Sequence, residues 1–211
     1  MNSTHIVLLG DSIFDNAGYV DAGDSVIEQL TRKLPKDTKA TLLAVDGDVT
    51  NDVYAQLDNF PDGATHVFIS CGGNDALRIA NVLNKPVSSV GEAMDVFTEI
   101  KNQFEQQYSK MLRVVKGKSA RISICTVHDS VPEYTQKALT ALSMFNEVIL
   151  AAAFKLNAPL IDLRLACNEP RDYSPVSPIE PSKYGGEKIT DLILAVTEQH
   201  SFDLNRSVIY S

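Results

Sequence analysis

The stretch Ile6-Val7-Leu8-Leu9-Gly10-Asp11-Ser12-Ile13-Phe14-Asp15-Asn16 decides the fold. Its apolar run has no polar interruption, which predicts a strand buried on both faces, as in a parallel sheet covered by helices. The run stops at Gly10-Asp11-Ser12, where a glycine permits a tight turn at the strand's carboxyl end. Ligands of open α/β sheets bind at that edge. Ser12 is therefore a candidate nucleophile. A Gly-Asp-Ser turn by itself fits a helix cap or a structural turn equally well.

Working outward, apolar runs at 4–10, 40–45, 66–71, 121–127 and 158–163 predict five strands. Segments of helical period lie between and after them, at 24–34, 51–60, 90 to about 115, 132 to about 156, and 184–199. Strand–helix alternation predicts a three-layer α/β/α sandwich with a five-stranded parallel sheet. The chain shows no repeat, linker or low-complexity tract, and 211 residues suit a single domain over 1–211. Residues 168–183, with four prolines, read as a rigid loop before the last helix, and 202–211 as an added strand or a loose end.

Composition narrows the function. A net charge of −8 argues against nucleic acid, because phosphate binding needs a basic surface. No apolar run approaches the ~20 residues of a membrane span. Met1-Asn2-Ser3-Thr4 has no basic segment followed by an apolar one, so a cytoplasmic location is expected. Cys71, Cys125 and Cys167 have no metal-site spacing. Cys71 and Cys125 end apolar strands and read as small core hydrophobes.

Two further blocks accompany Gly10-Asp11-Ser12: Gly47-Asp48 after the second strand and Gly72-Gly73-Asn74-Asp75 after the third. With these blocks in this order the chain resembles the SGNH hydrolase superfamily, the GDSL-type esterases and lipases, over nearly its whole length. The resemblance implies a flavodoxin-like SGNH hydrolase fold and hydrolysis of a small acyl ester or acetyl group, with no cofactor and no metal. It makes Ser12 the nucleophile, the Gly47 amide and the Asn74 side chain oxyanion donors, and the loop before the last helix the carrier of the base. That loop departs from the family's Asp-x-x-His-Pro pattern. Here Ser177-Pro178-Ile179-Glu180-Pro181 puts Glu180 in the histidine slot and Ser177 in the aspartate slot.

Glu180 then has two readings. It is the base of a Ser–Glu dyad, its weak basicity raised by burial, or it holds the loop through a hydrogen bond or an ion pair, for instance with Lys183 or an arginine. His128 directly follows the fourth strand, so it is either an alternative base or a solvated loop histidine. His5, His66 and His200 fall away from the site. Asp11 is expected to bond turn amides, Asp15, Asp48 and Asp75 to form an acidic rim with Glu180, and Asp172 is a possible orienting carboxylate. Residues 76–89 and 127–136 are expected to shape the pocket. The vacant histidine slot keeps a second class open: a catalytically inactive SGNH-fold protein that binds an acyl or carbohydrate ligand.

Overall fold

The structure is a computed structural model, described here for residues 4–119, 121–132, 134–204 and 206–211. Six strands alternate with helices: β1 His5–Gly10, α1 Val26–Lys33, β2 Lys39–Leu42, α2 Val53–Gln56, β3 His66–Ser70, α3 Gly73–Arg78, α4 Val90–Lys116, β4 Ile122–Cys125, α5 Gln136–Leu156, β5 Leu160–Ile161, α6 Leu163–Ala166, α7 Lys183–Gln199 and β6 Ile209–Tyr210. The sheet order is β2-β1-β3-β4-β5-β6, parallel throughout.

This is the expected three-layer sandwich with one strand more than the five read from the sequence. Residues 209–210 supply it: Leu160 and Asp162 donate their amides to the Val208 and Tyr210 carbonyls. Two residues are too few for period or composition to reveal a strand. The other differences are at ends. Thr135, not Pro132, starts α5, its hydroxyl accepting from the Ala138 amide, and neither the six-residue α3 nor the four-residue α6 shows a period of its own.

Side-chain alternation along the strands divides the core. Val7, Leu9, Val67, Ile69, Ile122 and Ile124 pack under α2, α4 and α5. Ile6, Leu8, Phe68, Cys125 and Ile161 pack under α1 and α7. Both faces of β1 and β3 are fully buried, which explains their unbroken apolar runs. Helix α5 has the length and mean hydropathy, 1.5, to cross a membrane by composition alone. The run reading missed it because Thr140, Ser143, Asn146 and Glu147 interrupt it. In this fold Leu142, Phe145, Ile149 and Ala153 carry it onto the sheet.

Strand order places the site. β1 lies between β2 and β3, so the direction of winding reverses at its carboxyl end, where open α/β sheets leave a crevice for ligands. The turns after β1, β2 and β3 all reach this crevice, and they are the three blocks picked out in the sequence.

Candidate active site

The turn after β1 is held by close packing. Gly10 has a φ of +125°, and a Cβ on it would stand 1.8 Å from the Ser70 carbonyl oxygen of β3. The Asp11 amide donates to that carbonyl at 3.0 Å. Asp11 Oδ1 accepts from the Ile13 amide at 3.1 Å, the turn-bracing role expected of it. Burial pushes the Asp11 carboxyl up to about 7, with the charges of Asp75 and Glu180 adding to the effect. Gln56 of α2 braces the same turn from below. Its Oε1 accepts from the Gly10 amide at 2.9 Å, and its Nε2 donates to the Gly10 carbonyl and to Asp48 Oδ2.

Ser12 is buried, and its hydroxyl donates to Glu180 Oε1 at 3.3 Å. That exceeds the ~2.7–2.8 Å usual for O–H···O, but catalytic hydrogen bonds are often long before substrate arrives. Glu180 is 4 % exposed, and its second oxygen, Oε2, is buried with no hydrogen-bond partner among the described residues. No cation pairs with it there. Lys183 pairs instead with Asp24 at 3.2 Å. The ion-pair reading of Glu180 therefore loses its partner.

The loop carrying Glu180 is a short hairpin. Tyr173 bridges Pro181, the Ser174 amide donates to the Glu180 carbonyl at 2.8 Å, and Ser182 caps α7 by accepting from the Tyr184 and Gly185 amides. Asn16 ties this hairpin to the nucleophile turn. Fully buried, it donates Nδ2 to the Pro181 carbonyl at 3.0 Å, while its Oδ1 accepts from the Val26 amide at the start of α1. Asp172 does not orient a base: its Oδ2 binds Lys188 Nζ at 2.7 Å, a partner one turn into α7.

The other two blocks meet each other, and Asn74 lines the Ser12 cavity. Gly47 has a φ of +82°, and its carbonyl accepts from Arg78 at 3.2 Å. Asn74 Nδ2 donates to the Asp48 carbonyl at 3.0 Å. An amide nitrogen carries two hydrogens, so this bond fixes the side chain and leaves a second donor. Asp75 Oδ2 accepts from both the amide and the hydroxyl of Thr50 at 3.0 Å, pinning α3 to the turn after β2. Asp15 is also spent on backbone, accepting from the Asp46 amide. The expected acidic rim is thus largely a set of turn braces. Among the described residues no three His, Cys, Asp or Glu side chains group to hold a metal ion.

His128 departs from the solvated reading. It is 4 % exposed, its ring stands edge-on to Tyr173 at 5.0 Å, and it bonds the Ile179 backbone. Burial lowers it to about 4, so it stays neutral. It shares with Ser12, Asn74 and Tyr134 the walls of a cavity of about 30 Å³, room for one small group. His5 and His66 lie at the amino ends of β1 and β3, and His200 follows α7, all remote from this edge.

Gln56 and Asn16 were not legible as site residues, whereas Tyr134 lies in the 127–136 segment expected to shape the pocket. Gln56 had one signal, a polar residue between Val53 and Leu57 on the apolar face of its segment.

Fold and strand-end constellation together define a class, the carboxylic ester hydrolases built on a three-layer parallel α/β sandwich. Within it the chain belongs to the GDSL-like lipase/acylhydrolase family, whose sequence profile matches residues 8–185. No curated protein matches by sequence. Among solved structures, the chain is similar to a member of the lipolytic G-D-S-L family from Veillonella parvula (17% identity, TM-score 0.69, covering 93% of this chain and 100% of that one). It is similar also to a lipase/acylhydrolase from Enterococcus faecalis (20%, 0.64, 90% and 93%). A third is a variant of an acetyl xylan esterase from Geobacillus stearothermophilus (15%, 0.68, 100% and 98%).

Proposed function

We propose that the chain is a serine hydrolase of small acyl esters in which Glu180 replaces histidine as the base. The hydrogen bond from the Ser12 hydroxyl to the buried Glu180 carboxylate, which pairs with no cation among the described residues, carries this reading. As Ser12 Oγ attacks the ester carbonyl, Glu180 takes its proton. The developing oxyanion accepts from the Ser12 and Gly47 amides and the free Asn74 Nδ2 hydrogen, donors of the kind worth about 3–4 kcal/mol each in acyl transfer. Glu180 returns the proton to the leaving alcohol. Water then attacks the acyl-enzyme, with Glu180 again as base. His128 is the weaker candidate, since burial lowers its pKa to about 4 and the Ser12 hydroxyl donates to Glu180 instead.

The test is hydrolysis of short p-nitrophenyl esters from pH 5 to 9. Ser12→Ala is expected to lower kcat by 10³-fold or more and Glu180→Gln by roughly 10²–10⁴-fold. Loss in Ser12→Ala but not in Glu180→Gln would hand the base role to another group. An intact protein no faster than Ser12→Ala on any ester would favour the inactive binder of an acyl or carbohydrate ligand.

A further inference from the structure

An apolar cavity of about 150 Å³ adjoins the Ser12 cavity. The two share Gly73, Leu77, Val127 and Tyr134 as walls, so they lie side by side. Among the described residues, every side chain around the larger one is apolar except for the Tyr134 hydroxyl. It exists because Ala138 and Ala141 stand on the face of α5 that also presents Leu142 and Phe145, and two methyl groups there leave a gap. Phe97 of α4 supplies the opposite wall.

The lining and the size limit the occupant. A sugar or a charged group would lose its hydration with almost no side chain to replace it, at a cost of several kcal/mol. An apolar cavity of ~150 Å³ lined by aliphatic and aromatic residues has room for a ligand the size of benzene, about six carbons. Resting on the ester-hydrolase reading above, we infer that this cavity is an acyl-chain site and that the protein takes esters of straight-chain acids of about six carbons in preference to acetyl esters. The ester carbonyl occupies the small cavity at Ser12. The chain passes Leu77 and Tyr134 into the apolar one.

The experiment is kcat/KM on p-nitrophenyl acetate, butyrate, hexanoate, octanoate and dodecanoate. Burial of each methylene is worth roughly fourfold, so values should climb from acetate to hexanoate and level off or fall towards dodecanoate. Ala141→Phe fills the gap and should cut the hexanoate-to-acetate ratio at least tenfold. Phe97→Ala should move the optimum to longer chains. Thermal unfolding of each variant establishes that it is folded. Ser12-dependent turnover that favours acetate, or a ratio unmoved by Ala141→Phe, overturns the acyl-chain site while leaving the hydrolase reading intact. Absence of Ser12-dependent turnover on all five esters overturns the hydrolase reading instead. Calorimetry with hexanoate then reads the cavity separately: binding lost in Ala141→Phe supports the site, and no binding removes it.

Discussion

A Cβ on Gly10 would overlap the Ser70 carbonyl at 1.8 Å in a backbone conformation, φ +125°, that side-chain-bearing residues rarely adopt. Neither strain has an easy outlet, because Gln56 grips the Gly10 amide and carbonyl and the Asp11 amide is bonded to Ser70. Gly10→Ala is therefore expected to cost at least about 2–3 kcal/mol of stability. Urea denaturation measures it, and a loss under about 1 kcal/mol would mean that the turn is far softer than its packing implies. Gly47 differs. Its φ is positive, but a Cβ there meets nothing within 4 Å, so only the backbone conformation resists substitution. Ser12 could be picked from the sequence because it stands in a turn at a strand end, and Gly47, Asn74 and Glu180 because their blocks resemble those of the family. Gln56 and Asn16 could not, because each acts on backbone groups far away in the chain, and no local pattern announces such a partner.

At the scale of elements, the active-site candidate is three turns and a hairpin that must keep register with one another. Asn16 links two of them. Removing its side chain orphans the Val26 amide and the Pro181 carbonyl, both bonded to it. Buried groups left unpaired cost about 1–3 kcal/mol each. Asn16→Ala should also let the Glu180 hairpin drift from Ser12. The expected signature is a fall in kcat of tenfold or more with KM changed little, since the asparagine touches neither cavity. Equal changes in kcat and KM, or none beyond stability, would reduce Asn16 to a structural residue. Element boundaries show where sequence reading works. The long helices α4 and α7 were found to within about two residues because their apolar stripes are local signals. α6 was not found, and β6 stood only as one of two readings of 202–211, because four and two residues held by tertiary contact carry no period.

At the scale of the whole molecule, buried titratable groups oppose one another as pH falls. His66 and His128 are held by burial to about 4, against 6.5 when unfolded. Between those values the unfolded chain binds two protons that the folded chain does not, so acidification through this window removes stability. Asp11 works the other way. Raised to about 7 from 3.8, it holds a proton in the folded state that the unfolded chain has released, so acidification stabilises through it. Two smaller pairs oppose each other likewise, His5 and His200 lowered against Asp75 and Asp129 raised. From the large shifts the balance is two protons taken up on unfolding minus one released, a net uptake of one. The unfolding free energy should then fall by about 1.4 kcal/mol per pH unit between pH 6.5 and 4. Asp11→Asn removes the opposing proton and should steepen that slope to about twice its value. His66→Gln, on the far edge of the sheet from Ser12, should flatten it almost to zero, whatever it does to stability at neutral pH. Urea titrations at pH 6.5, 5.5 and 4.5 on the three proteins separate these slopes. A common slope in all three would show that neither burial of His66 nor burial of Asp11 shifts its proton affinity, and that the acid response comes from surface carboxylates instead.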